Sequence, residues 1–195
     1  MNKNTSILSF IVLLITFSSC MRREYVLEYD YDYRGNFKKY SSFNFMHNAK
    51  IDQDSAQVAF NPLLEEAIKN RMEILGYKMS KDKPRLLVAY SIFYDNMKFR
   101  GYIQPELDRW IEKETDEDKY DPVKLDLKEG TILVQLIDTK KNNTVWQGYA
   151  SGVFGYSYTN NERHIKRAVR SIFDQYRIMA EGFDINQKKL VSNEP

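Results

Sequence analysis

A strict alternation of side chains opens the folded part of the sequence. Between residues 25 and 33, tyrosines and Leu27 occupy one set of alternate positions, and carboxylates occupy most of the other set. A period of two that is rich in aromatic residues predicts a half-buried β-strand. Residues 34–36 are typical of a turn, residues 37–45 form a second extended segment, and residues 47–59 are polar enough for a loop.

The apolar period changes to that of an α-helix in two later segments. Asn61 is suited to an N-cap with Pro62 at the first helical position, and Gly76 is suited to end that helix. Asn160 or Asn161 caps the second helix, which has the clearest period in the chain. The first apolar stripe is Leu64, Ile68, Met72 and Leu75, and the second is Ile165, Ala168, Val169, Ile172, Phe173, Tyr176 and Met179.

Three further segments predict strands. Residues 85–94 are apolar on both faces, which is typical of a central strand, and residues 130–138 and 144–154 form a hairpin around the turn at 140–143. Trp146 shares its face of the last strand with small residues, so the sheet has room there for the indole or for a closely packed helix. Those small residues are Gly148, Ala150 and Gly152.

The order of these elements, β-β-α-β-β-β-α, predicts the fold class. Two amphipathic helices on one face of an antiparallel sheet of about five strands give an α+β two-layer sandwich. We expect a single domain over residues 25–183. Residues 96–128 are charged and lack a clear period, so they are predicted to be an inserted surface loop, and residues 184–195 are a polar tail.

The N-terminal segment predicts where the protein resides. Lys3 precedes an apolar run over residues 7–17, and its 11 residues are too few to cross a bilayer as a helix. Small residues then precede Cys20, as at the cleavage site of a bacterial lipoprotein. Residues 1–19 are therefore predicted to be a signal peptide, and residues 20–24 a lipidated terminus and short linker. The alternative is ordinary cleavage that leaves Cys20 as a free thiol. Several acyl chains would hold the protein on a membrane of the cell envelope, and the lack of an acidic run after Cys20 favours the periplasmic side.

Composition excludes several classes of function. The chain has 195 residues, 29 Lys and Arg against 27 Asp and Glu, one Cys and two His. A net charge of +2 gives no general reason to bind nucleic acid, and the Cys and His counts exclude a disulfide framework and Cys-rich zinc sites. His47 and His164 lie in no nucleophile motif, and residues 116–121 lack the ligand order of a calcium loop. We expect no catalytic residue, metal or cofactor.

Three surface features are candidate contact sites. A basic stripe on the last helix suits anionic lipid, glycan or an acidic partner, although such a stripe is also typical of a solvated helix face. Three aromatic residues are candidates for stacking on a ligand, the alternative being that they cover the sheet beneath the helices. Ser55 follows Asp54 and precedes Ala56 in a short match to an O-glycosylation motif. The stripe is Arg163, Lys166, Arg167, Arg170 and Arg177, and the aromatic residues are Tyr31, Tyr33 and Trp146.

Several motifs in order resemble the bacterial lipoprotein family named domain of unknown function 4136. They are YDYD (29–32) and FKKYSSF (37–43), LGY (75–77), PRLLVAY (84–90), and GTILV, LID and VWQG between 130 and 148, followed by the helix at 165–173. The resemblance covers about residues 25–177. It implies an envelope lipoprotein, with no established activity and no catalytic residues.

These observations lead to one principal hypothesis and two alternatives. The principal hypothesis is a non-enzymatic accessory or interaction module, anchored by Cys20, whose partner is another envelope protein. Its candidate contact surfaces are the sheet edges, the basic stripe and the 96–128 insert. The first alternative is a glycan- or lipid-binding lipoprotein of the periplasm. A hydrolase is the second, and the sequence offers no converging set of groups for it.

Overall fold

The computed structural model describes residues 26–46, 55–103, 121–153 and 162–183. Within these ranges, the strands are β1 (Val26–Tyr31), β2 (Ser42–Phe45), β3 (Lys78–Met79), β4 (Leu86–Phe93), β5 (Met97–Ile103), β6 (Asp121–Leu127), β7 (Thr131–Asp138) and β8 (Asn143–Ser151). The helices are α1 (Ser55–Ile74) and α2 (Glu162–Phe173), and a short 3₁₀ turn covers Phe37–Lys39.

Six of the strands form one mixed sheet in the order β1-β8-β7-β4-β2-β3. The α+β class is confirmed, but the sheet has six strands rather than about five and is not wholly antiparallel. The pairs β1–β8, β8–β7 and β7–β4 are antiparallel, whereas β2 is parallel to both β4 and β3. The parallel pairing follows from α1, because a helical crossover returns the chain to the same end of the sheet before the next strand begins.

The two helices cover one face of the sheet. In α2 the predicted stripe is confirmed from Ile165 to Phe173, and these side chains are almost fully buried. The helix ends at Phe173, so Tyr176 and Met179 lie beyond it. Tyr176 still packs in the core, whereas Met179 is exposed.

The first helix begins earlier than the sequence indicated. It starts at Ser55, so Asn61 is not its cap and Pro62 lies inside it. A proline there removes one backbone hydrogen bond and is normally a helix breaker by about 3 kcal/mol. The helix continues past it because the following residues bury one face against the sheet. Those residues are Leu64, Ala67, Ile68 and Met72.

The predicted end of α1 at Gly76 is confirmed in detail. Gly76 has φ +89°, its N–H donates to the Glu73 carbonyl at 3.0 Å, and the Tyr77 N–H donates to the Met72 carbonyl at 3.0 Å. These two bonds define a Schellman motif, which favours glycine at the left-handed position. The chain then turns directly into β3.

The segment predicted as an inserted surface loop contains two strands. β5 and β6 pair antiparallel from Met97 opposite Leu127 to Ile103 opposite Asp121. Lys98 lies opposite Asp126, but Arg100 lies opposite Lys124, so cross-strand charges do not by themselves account for this pairing. Residues 104–120 lie outside the described residues. The second extended segment is also shorter than predicted, because β2 begins only at Ser42.

Candidate functional site

The predicted basic stripe lies on the outer face of α2. Arg163, Arg167 and Arg170 are exposed, and Arg177 is exposed a turn beyond the helix end. The stripe is held in place from the opposite side, where the apolar residues of α2 are locked into the core. The arginines therefore project from a rigid element rather than from a loop.

Lys166 contacts carboxylates of both helices. Its Nζ lies 2.7 Å from a carboxylate oxygen of Glu162 and 3.3 Å from one of Glu66 on α1. Hydrogen bonds to these carboxylates raise its pKa. Lys166 thus ties the two helices together at the surface, so its charge is already matched by neighbours within the protein.

The aromatic residues proposed for ligand stacking do not share one environment. Tyr31 is only 5% exposed and packs edge-on against Phe37, and Trp146 is fully buried beside Phe173 and Tyr176. Both rings fill the core beneath the helices, which leaves no face for a ligand. The structure therefore corrects the predicted stacking site for Tyr31 and Trp146.

Tyr33 is the member of that set with an exposed ring. It is 54% exposed, and the Arg34 guanidinium lies 5.8 Å from its ring centroid. Arg34 also pairs with Asp32 at 3.0 Å, and the Asn143 side-chain amide donates to Asp32 at 2.7 Å. Burial opposes ionisation of Asp32, but these hydrogen bonds lower its pKa overall.

A buried carboxylate organises the end of the sheet where β7 turns into β8. The Tyr40 hydroxyl donates to Asp138 Oδ2 at 2.7 Å, and the amides of Lys140 and Lys141 donate to Oδ1 at 2.7 and 3.1 Å. Burial raises the pKa of Asp138, but these bonds outweigh it and the pKa falls below 3.8. Burial and the carboxylate together raise the pKa of Tyr40.

An open cleft of about 510 Å³ lies at this same end of the sheet, between the β3–β4 loop and the β7–β8 turn. Thr139 joins its two walls, because the Thr139 hydroxyl donates to the Pro84 carbonyl at 2.7 Å and its N–H to the Arg85 carbonyl at 3.2 Å. The lining residues are Lys83, Pro84, Arg85, Leu87, Thr139 and Lys140.

No sequence prediction included this cleft, since residues 140–143 were predicted only as a turn and residues 85–94 only as a buried strand. The local signal was the set of basic residues in or just before those segments, at Lys83, Arg85 and Lys140. Their proximity depends on the pairing of β4 with β7, in which Leu86 lies opposite Asp138. That pairing joins positions about fifty residues apart, and no local pattern indicates it.

The sheet face away from the helices carries a polar row. Asp30 lies opposite Gln147, which in turn lies opposite Gln135 and accepts a hydrogen bond from it at 3.2 Å. Burial raises the pKa of Asp30, and it also raises that of Glu28 on the same face. Tyr149, opposite Glu28, is buried on this face, and its pKa is raised by burial and by the two carboxylates.

Several predicted sites fall elsewhere. Cys20, His47 and the acidic residues at 116–120 lie outside the described residues. Ser55 is the first residue of α1, not part of a loop as the glycosylation hypothesis assumed. His164 is partly exposed in the first turn of α2. In the described ranges, no helix is long and apolar enough to span a bilayer, and no group of three His, Cys, Asp or Glu is arranged to hold a metal ion.

The fold and its surfaces define a small α+β sandwich with a basic helix face and a basic sheet end. The sequence profile of the family described as Domain of unknown function (DUF4136) matches residues 27–176, and the chain belongs to that family. The resemblance found in the sequence is thereby confirmed. No curated protein matches the chain.

Two crystal structures share this fold. A DUF4136 family protein from Bacteroides thetaiotaomicron superposes with a TM-score of 0.50 at 17% identity, over 82% of this chain and 99% of that one. A PDZ domain protein from Parabacteroides distasonis gives a TM-score of 0.50 at 16% identity, over 80% of this chain and 36% of that one. At such identities the similarity shows the fold alone.

Proposed function

We propose that this protein is a non-enzymatic interaction module of the bacterial cell envelope, anchored to a membrane by acyl chains on Cys20 and facing the periplasm. Its partner is another envelope protein with an acidic surface. The observation that carries the proposal is the outer face of α2, where exposed arginines project from a helix whose opposite face is fixed in the core.

The arginines of this face suit an acidic protein surface. Their guanidinium groups match carboxylates in paired hydrogen bonds, and arginine is enriched in protein interfaces. Because the helix backbone is rigid, little order is lost on binding beyond the side chains themselves. We expect the complex to weaken as salt concentration rises, since exposed charges at its rim are screened.

The interior polar groups support a non-enzymatic role. Tyr40 and Asp138 bond to each other inside the fold, and the Tyr77 and Tyr176 hydroxyls bond to each other at 2.8 Å. Each of these four groups has a perturbed pKa, and each is used to hold elements of the fold together. Tyr77 and Tyr176 are buried in the core, and the acceptor oxygens of Asp138 are occupied by Tyr40 and by the backbone, so none of these groups is presented to a ligand.

Anchoring is tested by metabolic labelling with a palmitate analogue. We expect the wild-type chain to incorporate label and to fractionate with membranes, and a Cys20→Ala chain to lose both properties. The same experiment distinguishes the free-thiol alternative, because an unlabelled wild-type chain released into the soluble fraction would contradict the lipid anchor.

The partner surface is tested by cross-linking in living cells and purification through a C-terminal tag. Reversal of Arg163, Arg167 and Arg170 to Glu should abolish recovery of the partner. The matched control reverses three exposed lysines outside α2 and changes the net charge equally; these are Lys78, Lys98 and Lys128. Equal recovery from both variants would remove α2 as the contact surface. Lys166 is left intact because its ion pairs join the helices.

Binding of a glycan or lipid is a second candidate, supported by the exposed Tyr33 ring with Arg34 beside it. Sugars stack on such rings, and a neighbouring cation suits an acidic sugar. A panel of envelope glycans and lipids should then raise the melting temperature of wild type but not of a Tyr33→Ala chain. The absence of any shift across the panel would count against this candidate.

A further inference from the structure

We propose that the cleft between the β3–β4 loop and the β7–β8 turn binds a phosphate group. It has a volume of about 510 Å³, within the range typical of small-ligand sites. Three of its six lining residues are cations, Lys83, Arg85 and Lys140. This site is separate from the α2 surface, and phosphate binding there does not depend on the proposed partner.

The charge of the lining favours a multivalent oxyanion. Among the residues that the structure describes, none of the three cations forms an ion pair with a carboxylate. Asp138, the buried acid at this end of the sheet, already accepts three hydrogen bonds, from Tyr40 and from the amides of Lys140 and Lys141. A phosphate carries about −1.5 to −2 charges at neutral pH, so three cations match it better than they match a single carboxylate. Arginine adds a planar fork that bonds two phosphate oxygens at once.

The backbone around the cleft is fixed before any ligand arrives. Thr139 bonds to both Pro84 and Arg85 across the cleft, and Asp138 holds the Lys140 amide on the other wall. The Arg85 N–H also donates to the Ser42 hydroxyl at 3.2 Å. Because the backbone that carries the three cations is fixed, binding a ligand requires ordering of their side chains only.

Lys83 provides an independent indication. Its φ is +48°, in the left-handed region that favours glycine and that other residues adopt only at a cost. The chain nevertheless places a lysine there, and Lys83 is one of the residues that line the cleft. Such backbone strain is concentrated at ligand sites, where the position of a side chain matters more than local stability.

The apolar part of the lining indicates that the phosphate is attached to an organic group. Pro84 and Leu87 form that part of the wall. Leu87 belongs to the sheet face away from the helices, because its neighbours Leu86 and Val88 are buried on the helix side. A phosphorylated sugar or a lipid headgroup would place its carbon skeleton against this wall.

The direction of the strands in the sheet favours a soluble or glycan-borne phosphate over the headgroups of the anchoring bilayer. β1 begins opposite Ser151 at the end of β8, whereas the cleft lies at the start of β8. Nine residues of β8 span about 30 Å. A chain tethered through Cys20 therefore enters the sheet at the far end from the cleft. This assignment of the source rests on the proposed anchor, whereas the phosphate site itself does not.

The site is tested with inorganic phosphate and the full chain in phosphate-free detergent. The ³¹P resonance of phosphate should broaden on adding wild type, and a variant with Gln at Lys83, Arg85 and Lys140 should bind at least about tenfold more weakly. The matched control places Gln at Arg163, Arg167 and Arg170, which changes the net charge equally. It should bind like wild type. A Lys83→Gly chain relieves the backbone strain, so its weakened binding could not be ascribed to misfolding.

Each outcome decides the question. Broadening that is lost in the cleft variant and kept in the α2 variant supports the site. No broadening at tens of millimolar phosphate, or an equal loss in both variants, overturns it. A second arm uses vesicles of phosphatidylcholine with and without phosphatidylglycerol and a Cys20→Ala chain. Flotation that requires the anionic lipid and is lost in the cleft variant would assign the phosphate to a lipid headgroup. It would overturn the argument from strand direction.

Discussion

Tyr40→Phe removes a single oxygen from the buried end of the sheet, and its effect follows from the geometry there. The Tyr40 hydroxyl donates to Asp138 at 2.7 Å and accepts from the Asn36 N–H at 3.2 Å. Both side chains are at most 5% exposed, so water cannot readily replace the missing donor. A hydrogen bond to a charged group contributes about 1.5–3 kcal/mol. We expect Tyr40→Phe to lower the free energy of unfolding by about 2 kcal/mol at pH 7.

The same change should alter the dependence of stability on pH. Because the pKa of Asp138 is lower in the folded protein than its ordinary 3.8, its contribution to stability is fully present above that value. It is lost as the pH falls through the folded pKa. Removing the Tyr40 donor raises the folded pKa toward 3.8 and so removes part of this contribution. The difference between wild type and variant should therefore narrow below about pH 4.

Chemical denaturation of a chain that carries Cys20→Ala and Trp110→Phe, followed by Trp146 fluorescence, measures both effects. Trp146 is fully buried against Phe173, so its emission should report loss of the core. Tyr33→Phe is the matched control, since it deletes the same oxygen from a ring that is 54% exposed. It should change stability by less than about 0.5 kcal/mol. A Tyr40→Phe effect no larger than the control, or one that is constant from pH 7 to pH 3, would refute the reasoning.

Three further changes follow from the packing and charges. Gly148→Ala should destabilise by about 1–3 kcal/mol, seen as a lower melting temperature, because a Cβ there would lie 2.4 Å from the Trp146 ring. Gly76→Ala should destabilise at least as much, since it adds left-handed strain to a clash in which the new Cβ lies 2.1 Å from the Phe183 ring. Asp30→Asn should stabilise by less than about 1 kcal/mol at pH 7, because burial raises the pKa of Asp30 and disfavours its ionised form. That gain should disappear as the pH falls toward 3.8, and wild-type-like melting at pH 7 would contradict it.

Local patterns predicted the elements whose signals are complete within a few residues. The stripe of α2, the left-handed Gly76 and the β7–β8 turn all depend on neighbours close in sequence. Asn142 has φ +52° in that turn, as its residue type allows. Small residues beside Trp146 also predicted close packing, and Gly148 does lie beneath the indole and Ile172.

Features that depend on tertiary packing were missed or misplaced. Pro62 indicates a helix start locally, but burial of the residues after it sustains a longer helix. Tyr31 and Tyr33 share one face by alternation, yet β1 ends at Tyr31, so one ring enters the core and the other leaves the sheet. β3 has only two residues, and it pairs with β2, from which α1 separates it in the chain. Neither its existence nor its parallel direction therefore has a local signal.

The α2 face and the cleft should depend differently on the proposed anchor, so their functions can be tested separately. The α2 face and the cleft are built on different elements, and each can lose three cations without altering the other. If Cys20 is acylated, the anchored terminus precedes the start of β1, and the cleft lies about 30 Å from that start along the sheet. Insertion of a flexible segment after residue 21 should then leave phosphate binding unchanged. Its effect on partner cross-linking would depend on how far from the bilayer the acidic surface lies. A loss of cross-linking with intact phosphate binding would show that the anchor sets the height of the α2 surface rather than the fold of the domain.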